Sequence, residues 1–495
     1  MRLQNNRSDE IDLGILILPM CPPPLLPMRA AFLCNAVAGA GYAAKIYDAN
    51  IRAYKRYYEE RDRVDRLYSE TGRCLPMELW HPSRHALWQE EDVLDYFRPE
   101  WDDLLTQVLD EKPKILLFYV NFGNVKAVVR FGNLVKKHRS ESILAAFGTL
   151  CATKESVPCE FLDWDCVCIG PSEESIVEWL HANRGTDSMA VDSVSPLKTP
   201  CHFLESYSDN EKAELPGKPK YVGVSLDHYR DRSGHREITL LFGQGCRWGR
   251  CRFCGEKTPY RPRNPRTIIE EIEQWRERGC KRFAFSDLAL NNDHRLLQEF
   301  CELVTNEKTH VEFSRAQMRI HPRNTKELFS QMHRAGFHHI RFGVDSWCDS
   351  LRRKTFKGYS MKTVFQNIED CLEAGLTPHV NLLVGAPGET EEEIDETIDN
   401  IVSLGKTIGE IDNISLFQLV SGSEFRRNPD SYGIRFREHG PKNNVNQGHI
   451  VPSDDWFSES PYIDYRIRLS RLKRIVKSLF AANVKVPHPF RNIVD

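Results

Sequence analysis

This chain of 495 residues has no run of 18 consecutive apolar residues, so none of its segments is predicted to cross a membrane as a helix. Its polar first ten residues do not have the pattern of a secretory signal peptide. The fifteen cysteines are scattered and odd in number, which indicates a reducing compartment and not a disulfide framework. Together these features favour a cytoplasmic protein.

An excess of charge of one sign is also lacking, because 67 lysines and arginines stand against 70 aspartates and glutamates, and the net charge is -3. No nucleic-acid partner is therefore expected. Cations do gather in one glycine-rich segment, where only Glu256 opposes them; they are Arg247, Arg250, Arg252, Lys257, Arg261, Arg263 and Arg266. We interpret them as a solvated loop, or as counter-charges for thiolates and an anionic cofactor, in preference to an RNA-binding surface.

The same segment carries three closely spaced cysteines, with four residues between Cys246 and Cys251 and two between Cys251 and Cys254. Three thiolates are one ligand short of a closed tetrahedral metal site, so a fourth ligand comes from elsewhere or the site binds an exchangeable group. Glycines at 243, 245, 249 and 255 allow the backbone to wrap tightly around a metal group. Dedicated zinc sites usually have two Cys-x-x-Cys pairs, and only one is present, so structural zinc, or three unrelated buried cysteines, is the alternative.

After the cysteines, apolar patterns typical of strands and helices alternate. Predicted strands cover 282–287, 310–315, 339–345, 379–385 and 414–420. Predicted helices cover 293–305, 327–335, 361–374 and 391–404, and a further helix is expected from a Thr267 to Glu270 capping box to Gly279. This alternation indicates a parallel sheet with helical crossovers, forming an open or partial barrel. In such folds the loops at the carboxyl ends of the strands carry the site.

The cysteine segment, with Phe253 before its last cysteine, resembles the cluster loop of the radical S-adenosylmethionine (SAM) enzymes. It departs from their commonest form, which has three residues between the first two cysteines, where this chain has four. Three strand ends resemble motifs of the same family: Phe285-Ser286-Asp287 its Gly-Gly-Glu-like turn, Gly343-Val344-Asp345-Ser346 its Gly-x-Glu-Ser strand end, and Gly385-Ala386-Pro387-Gly388-Glu389-Thr390 its Gly-x-Pro-Gly-Glu-Thr signature. The resemblance covers about residues 238 to 425.

The resemblance implies the ligands of the site. Cys246, Cys251 and Cys254 would bind three irons of a [4Fe-4S] cluster, and SAM would bind the fourth iron through its amino and carboxylate groups. The cofactor-binding residues it implies are Phe253, Ser286, Asp287, Arg315, Asp345, Ser346, Gly385 and Glu389, with Gln317 and Arg319 as further candidates for the SAM carboxylate. Without the resemblance to this family, Asp287 and Asp345 would be interpreted as residues that cap the turns after their strands. Cys348 is a candidate catalytic thiol or extra ligand, although a buried structural cysteine is the simpler interpretation.

The first two hundred residues show a second alternation, typical of a doubly wound α/β domain. Predicted strands cover 12–19, 44–48, 114–120, 143–147 and 166–169, and predicted helices cover 28–39, 124–137 and 172–180. A Gly-x-Gly-x-x-Gly turn is missing, so dinucleotide binding is not expected. The domain resembles the cobalamin-binding domain that precedes the radical SAM barrel in one large subfamily, at segments 22–27, 47–50, 121–124, 147–149 and 170–174.

The chain has no histidine before His81 and so lacks the Asp-x-His-x-x-Gly motif that supplies a cobalt ligand in other cobalamin domains. Any cobalamin is therefore expected to bind without a protein histidine. A vestigial domain that only shapes substrate access is the alternative. Residues 51–110 form an insertion rich in aromatic and charged side chains, most of which are expected to pack internally.

The predicted order is a cobalamin-binding-like α/β domain (1–181), a linker (182–236), a radical SAM partial (β/α)6 barrel (237–435) and a C-terminal region (436–495) with an amphipathic helix. The resemblance implies a cobalamin-dependent radical SAM enzyme that cleaves SAM reductively to a 5'-deoxyadenosyl radical and methylates an unactivated carbon. The expected partners are a small-molecule natural product or peptide substrate and a one-electron reductant such as flavodoxin or ferredoxin. The alternatives are radical SAM rearrangement or cyclisation without functional B12, and a non-catalytic zinc-binding module.

Overall fold

The computed structural model describes residues 10–21, 25–61, 79–80, 87–170, 173–182, 202–205, 215, 217–230, 234–437 and 450–486. The chain forms two compact units. The first unit comprises Met1–Asp209 and Pro216–Arg236, and the second comprises Asn210–Leu215 and Glu237–Asp495. Each helix in the described ranges is too short or too polar to pass through a lipid bilayer.

The first unit is built on a six-stranded parallel sheet with the order β2-β1-β3-β4-β5-β6. Its strands are β1 Leu13–Ile17, β2 Ala44–Asp48, β3 Ile115–Tyr119, β4 Ile143–Phe147, β5 Cys166–Ile169 and β6 His202–Glu205. Its helices are α1 Met28–Gly39, α2 Ala49–Glu59, α3 Glu91–Tyr96, α4 Arg98–Glu111, α5 Val125–His138 and α6 Glu173–Ala182. This is the predicted doubly wound architecture.

Both faces of this sheet are covered by apolar side chains. Along β1, Ile15 and Ile17 join a core that includes α1, whereas Leu16 joins a core on the opposite face that includes α4 and α5. A strand buried on both faces needs apolar residues at successive positions, which is why Leu13–Ile17 has no polar side chain. The continuous apolar run predicted this strand correctly.

The aromatic side chains of the 51–110 insertion pack internally, as predicted. Tyr57, Trp80, Trp88 and Trp101 are all buried and belong to the core over α2 and α4. Residues 62–78 and 81–86 of the insertion lie outside the described residues. The described aromatics therefore contribute to the stability of the first unit and form no exposed stacking surface.

The segment 182–236, predicted as a linker, is more than a connection. Its residues His202–Glu205 form β6, which pairs in parallel with β5. Further along, Tyr229 donates a hydrogen bond to Asp48 Oδ2 at 2.6 Å. Unlike the equally short β5, which is a continuous apolar run, β6 has a polar residue at each end, so the sequence pattern did not predict it.

The second unit is built on a six-stranded parallel sheet with the order β14-β13-β12-β11-β10-β7. Its strands are β7 Glu237–Leu240, β10 Arg282–Phe285, β11 Glu312–Met318, β12 His339–Asp345, β13 Thr377–Val384 and β14 Glu410–Leu416. Its crossover helices are α7 Pro265–Glu277, α8 His294–Asn306, α9 Lys326–Arg334, α10 Asp349–Thr355, α11 Met361–Glu373 and α12 Glu391–Leu404. Neighbouring strands joined by helices confirm the predicted partial (β/α)6 barrel.

Several local features of this unit differ from the predictions, among them β11, which was predicted at 310–315 and covers Glu312–Met318. Helix α7 is capped by Asn264, whose side chain accepts from Arg266 N at 2.9 Å, and not by a capping box at Thr267. Proline at the first helical position explains this earlier start. Helix α10 was not predicted, and β14 begins at Glu410 instead of Ile414 because polar residues interrupt its apolar pattern.

The C-terminal part combines short antiparallel strands with one long helix. These elements are β15 Leu419–Val420, β16 Ile434–Phe436, β17 Ile450–Val451, β18 Trp456–Glu459, β19 Tyr462–Ile463, α13 Glu424–Arg427 and α14 Tyr465–Ala481. Helix α14, the predicted amphipathic helix, packs against α12 and buries one face. Residues 438–449 and 487–495 of the predicted C-terminal region lie outside the described residues.

Candidate active site

The three cysteines lie on a loop that a short antiparallel ladder closes at its base. Strand β8, Gly243–Gln244, pairs with β9, Arg261–Pro262, and Cys246 N donates to Thr258 O at 3.2 Å. The loop follows β7 and therefore lies at a carboxyl end of the parallel sheet. This is the end of the sheet where the fold places functional loops.

The cysteine loop presents partly exposed, free thiols. Cys254 Sγ accepts the amide of Glu256 at 3.4 Å, and Cys254 N donates to Cys251 O at 3.3 Å. Burial raises the pKa of the Cys254 thiol to about 11. A metal group would reverse this shift, because the thiolate is the form that binds metal.

The spacing of the three sulfurs distinguishes two kinds of metal site. Among the described residues, the only three His, Cys, Asp or Glu ligand atoms within 4.8 Å of one another belong to His379, Glu410 and Asp412, so the loop sulfurs are spread more widely. Thiolates on one tetrahedral zinc lie about 3.8 Å apart, given a Zn–S bond of about 2.3 Å. The three sulfurs as they stand are therefore not arranged around one tetrahedral zinc. In the compact set, Asp412 is already engaged by Arg341 and His379.

Asp287, just after β10, is buried and fixed by two backbone amides. Phe242 N donates to its Oδ2 at 2.8 Å, and Gly243 N donates to its Oδ1 at 2.6 Å. Burial raises the pKa of Asp287 to about 7, although the two amides and Arg263 act in the opposite direction. Beside it, Ser286 N donates to Leu240 O at 3.0 Å. This predicted cofactor-binding turn therefore holds the entry to the cysteine loop in place.

Asp345, at the end of β12, forms a buried ion pair with Lys357. Lys357 Nζ donates to the Asp345 carboxylate and to Gly343 O at 3.0 Å, and Asn381 Nδ2 donates to Asp345 Oδ1 at 2.5 Å. Burial lowers the pKa of Lys357, but Asp345, Tyr359 and Cys251 together raise it by more, so the ammonium group stays charged. The structure thus places a buried cation between a strand end and the cysteine loop.

Two of the three polar candidates, Arg315 and Gln317, lie on β11, and Arg319 directly follows its last residue, Met318. Arg319 reaches the cysteine loop, since its Cζ lies 4.3 Å from the centroid of the Trp248 ring. Gln317 is half-buried, and Arg315 lies earlier on the strand and is exposed. Arg319 is therefore the candidate with a contact to the cysteine loop.

Phe253 forms part of an apolar wall beside the last cysteine. Its ring lies 6.1 Å from that of Phe417, which belongs to a core with Phe425 and Trp456. The Lys357 ammonium lies 5.5 Å from the Phe253 ring. An apolar wall next to a fixed positive charge strengthens the effect of that charge, because water is excluded from one side.

Ser346 and Cys348 follow β12 and are both buried. Cys348 Sγ accepts from Leu351 N at 3.4 Å, which makes it the cap of α10, and burial raises the pKa of its thiol. The Ser346 carbonyl accepts from Arg352 Nη1 at 3.3 Å. These contacts are structural, as the simpler interpretation of Cys348 expected.

The turn from Gly385 to Glu389 is held from behind by two arginines of α14. Glu389 Oε2 accepts from Gly385 N at 2.8 Å and from Arg471 Nη1 at 3.1 Å. Arg468 Nε donates to Gly385 O at 3.1 Å, and its chain fills the space where a side chain at Gly385 would stand. Gly385 also has a φ of +86°, so both its backbone and its surroundings require glycine.

Burial shifts the pKa values of this buried cluster in opposite directions. It raises the pKa of Glu389 to about 7, against the opposing charge of Arg471. Burial lowers the pKa of Arg468 to about 9.

Arg468 and Arg471 belong to no motif and were not predicted as site residues. Cations at positions i and i+3 on the buried face of an amphipathic helix are a signal that could have found them. Lys357, between two helices, carried no comparable signal.

In the first unit, amide side chains tie together the loops at the carboxyl ends of β1 to β3. Asn50 Oδ1 accepts from Cys21 N at 3.0 Å and from Trp80 Nε1 at 2.8 Å. Asn121 Nδ2 donates to Met20 O at 2.9 Å. The described parts of segments 47–50, 121–124 and 147–149 therefore lie at one edge of the sheet, whereas Pro22, Pro23, Pro24, Pro171 and Ser172 lie outside the described residues.

Residues 240–401 match the model of the radical SAM superfamily. The matched segment runs from the end of β7 through the cysteine loop to α12, so the second unit carries a radical SAM domain. A curated relative, the tRNA-2-methylthio-N(6)-dimethylallyladenosine synthase of Anaplasma phagocytophilum (strain HZ), is 24% identical over 213 residues. That match covers 39% of this chain and spans less than half of the relative, 46% of its length.

Two solved structures share the fold of nearly the whole chain. The radical SAM methyltransferase TsrM from Kitasatospora setae, with cobalamin and a [4Fe-4S] cluster bound, has a TM-score of 0.65 and 15% identity, with 96% of this chain and 91% of that chain covered. The cobalamin-dependent SAM radical enzyme OxsB, with aqua-cobalamin bound, has a TM-score of 0.68 and 13% identity, covering 98% and 70%. The chain thus has the fold of the cobalamin-dependent radical SAM enzymes.

Proposed function

We propose that this chain is a cobalamin-dependent radical SAM enzyme of the cytoplasm that methylates an unactivated carbon of a small natural product or a peptide. The observation that carries the proposal is the position of Lys357, a buried cation that pairs with Asp345 and lies 5.5 Å from the ring of Phe253 in the cysteine loop. A strand-end motif and the cysteine loop therefore meet at one charged group. Such a group suits an anionic cofactor bound between them.

In this proposal, Cys246, Cys251 and Cys254 hold a [4Fe-4S] cluster, and SAM occupies the vacant iron position. When bound, the cluster supplies the electron that cleaves SAM to a 5'-deoxyadenosyl radical, and cobalamin supplies the methyl group. The protein binds and orients these groups. Asp345 and Ser346 lie where the ribose is expected, and Glu389 and Gly385 shape the next strand end.

The side chains around the loop would also protect the reaction. Phe253 and Phe417 form an apolar wall that keeps water from one side of the cysteine loop. Lys357 would offset the negative charge of thiolates and of the SAM carboxylate. Asp287 fixes the start of the loop through two amides, so the cysteines need little rearrangement to bind irons.

The first unit has a set of loops that fits cobalamin bound without a protein histidine. The described loops at the carboxyl edge of its sheet are linked by Asn50 and Asn121, and Tyr119 Oη lies 3.1 Å from Thr149 Oγ1 at the next strand ends. These groups offer amide and hydroxyl contacts to a polar ligand. They contain no imidazole, so the cobalt would lack a protein nitrogen ligand on this side.

Anaerobic reconstitution with iron and sulfide tests the radical SAM part of the proposal. We expect a cluster absorption band and, on reduction with SAM by flavodoxin or ferredoxin, release of 5'-deoxyadenosine. Both should vanish in Cys251→Ala and persist in Cys159→Ala, which removes an exposed thiol elsewhere. Stoichiometric zinc, with no SAM cleavage, would instead establish the non-catalytic zinc module.

The cobalamin part is tested separately, by equilibrium binding of hydroxocobalamin and by the transfer of a labelled methyl group from SAM to candidate substrates. Tight binding with a spectrum typical of cobalt without imidazole is expected. SAM cleavage without any cobalamin binding would reject methylation by this route and favour a rearrangement or cyclisation. Cobalamin binding tests the first unit and SAM cleavage tests the second, so the two halves of the proposal can fail independently.

A further inference from the structure

The four-residue spacing between Cys246 and Cys251 places Trp248 against a neighbouring segment. The Trp248 indole Nε1 donates to Phe356 O at 3.1 Å. Its ring stacks on Phe356, with 6.0 Å between centroids and an interplanar angle of 27°. Arg319 lies on the ring, 4.3 Å from its centroid. Three independent contacts thus anchor the part of the loop that is longer than in the commonest family pattern.

Gly358 forms the slot that receives this ring. A Cβ built on Gly358 would overlap the six-membered ring of Trp248, so any larger residue would push the indole out. Gly358 also has a φ of +76°, which L side chains rarely adopt. The glycine is therefore needed twice, once for the backbone and once for the indole.

The segment that anchors Trp248 is also bound by the other arm of the loop. Arg252 N donates to Thr355 O at 3.0 Å, and Arg252 Nη1 donates to Lys354 O at 3.0 Å. Cys251 lies between Trp248 and Arg252, so contacts on both sides of this cysteine lead to residues 354–358. That segment includes Lys357, whose backbone carbonyl accepts from Arg319.

We infer that Trp248 is a positioning residue, which fixes Cys251 relative to the buried ammonium group of Lys357, and that the fourth residue of the spacing exists to deliver this indole to its slot. The inference rests on the proposed function only for its consequence at the cluster. The contacts of Trp248 and Arg252 are formed by the polypeptide and need no cofactor. Loss of the indole is expected to release one arm of the loop and to move Cys251 away from the positive charge.

A nearby cation stabilises the reduced, more negative form of a cluster, so the separation of Cys251 from Lys357 should lower the reduction potential. It should also weaken SAM binding, by roughly tenfold if one charge-assisted contact is lost. In the protein without iron, Cys251 should become more accessible and react faster with a thiol reagent at a pH high enough to ionise the thiol fully, where loss of the nearby cation does not change the thiolate fraction. This last effect does not depend on any cofactor.

Four variants test the inference. Trp248→Ala removes the ring, and Trp248→Phe keeps an aromatic ring without the hydrogen bond. Gly358→Ala fills the slot, and the double variant combines Trp248→Ala with Gly358→Ala. Gly279→Ala is the matched control, because Gly279 has a φ of +80° and a Cβ built on it would meet no atom within 4 Å. The Gly279→Ala variant therefore measures the effect of backbone strain alone.

Circular dichroism and thermal unfolding verify that each variant folds.

Two readouts are measured, the alkylation rate of Cys251 in iron-free protein by mass spectrometry and the reduction potential of the reconstituted cluster by electron paramagnetic resonance. We expect faster alkylation and a lower potential in Trp248→Ala and in Gly358→Ala, but not in Gly279→Ala. Trp248→Phe should restore most of both properties. The double variant should behave like Trp248→Ala plus the small effect of the control, because the slot is already empty.

Unchanged alkylation of Cys251 in folded Trp248→Ala would overturn the inference, whatever the cluster does. An unchanged reduction potential in a variant that assembles the cluster would overturn its consequence for Lys357. If Trp248→Ala does not fold, Trp248→Phe and Gly358→Ala supply the same comparison. A wild-type protein that binds no cluster would reject the proposed function, while the alkylation rates would still decide the role of Trp248.

Discussion

Arg471 of α14 donates a hydrogen bond to Glu389 at the end of the Gly385 turn, with 3.1 Å between Nη1 and Oε2. Both side chains are almost fully buried, at 5% and 1% exposure. An ion pair at this depth is costly to break on one side only, since the remaining charge loses its partner without regaining water. The pair joins the C-terminal helix to one of the strand-end motifs of the barrel.

Replacing Arg471 by methionine should destabilise the second unit. We expect a loss of about 3 kcal/mol in the free energy of unfolding, measured by urea denaturation above about pH 8 where Glu389 is ionised, because its buried carboxylate would lose the charged group that donates to it. Arg474→Met is the matched control on the same helix, where the partners Glu391 and Asp395 are exposed. It should cost less than about 1 kcal/mol. Equal losses in the two variants would contradict a special role for the buried pair.

The stability of the protein should depend on pH through Glu389. Burial raises the pKa of this carboxyl from 4.5 to about 7, so the folded state holds the proton more tightly than the unfolded chain does. Its contribution is fully present below about pH 4.5 and is lost as the pH rises to about 7. The wild type should therefore lose stability relative to Glu389→Gln across this window, as measured by urea denaturation at several pH values. A difference that stays constant with pH would reject the prediction.

Substitution of Lys357 should weaken SAM binding and also destabilise the second unit, because Asp345 would be left buried without its counter-charge. Lys357→Met removes the buried positive charge, and we expect SAM affinity to fall by roughly tenfold or more in equilibrium binding to the reconstituted protein. Lys357→Arg keeps the charge and should retain part of the affinity. Lys362→Met, an exposed lysine on α11, is the control and should bind SAM normally. If Lys357→Met bound SAM as tightly as the control, the ammonium group would have no part in the site.

Asp287 should be required for an ordered cysteine loop. In Asp287→Ala the amides of Phe242 and Gly243 lose their acceptors, which should cost about 1 to 3 kcal/mol of stability. The iron content after reconstitution should fall as well, because the loop would start from a less defined position. Thr325→Ala, at the cap of α9, is a comparison that removes a side-chain acceptor of a backbone amide on another crossover helix. Normal iron content in Asp287→Ala would show that the loop is held by other contacts.

Much of the barrel could be predicted from the sequence because local signals agreed with the fold. Helix α12 was predicted with its observed bounds, since Thr390 and Glu393 form a complete capping box before an apolar pattern of helical period. Strand β12 was also predicted with its observed bounds, because its buried and less buried residues alternate. Where a cap came from a residue outside the pattern, as at Asn264, the prediction failed.

The site could be predicted only where its residues belong to a motif. The cysteines and the strand ends at Asp287, Asp345 and Gly385 carry such motifs. Lys357 lies in a segment whose local sequence does not show where it points, and the helical pattern around Arg468 indicates that this cation is buried but not what it contacts. Their role depends on which segments pack together in the tertiary structure, and local sequence patterns do not show this.

The contact between Arg468 and Gly385 links positions 83 residues apart in the chain. During synthesis, β7 to β13 leave the ribosome before the residues that support the Gly385 turn have been translated. A domain folds as a unit once its contacts are available. Iron insertion into the nascent chain would therefore meet an unfinished strand end, and cluster assembly should be favoured only after α14 has been made.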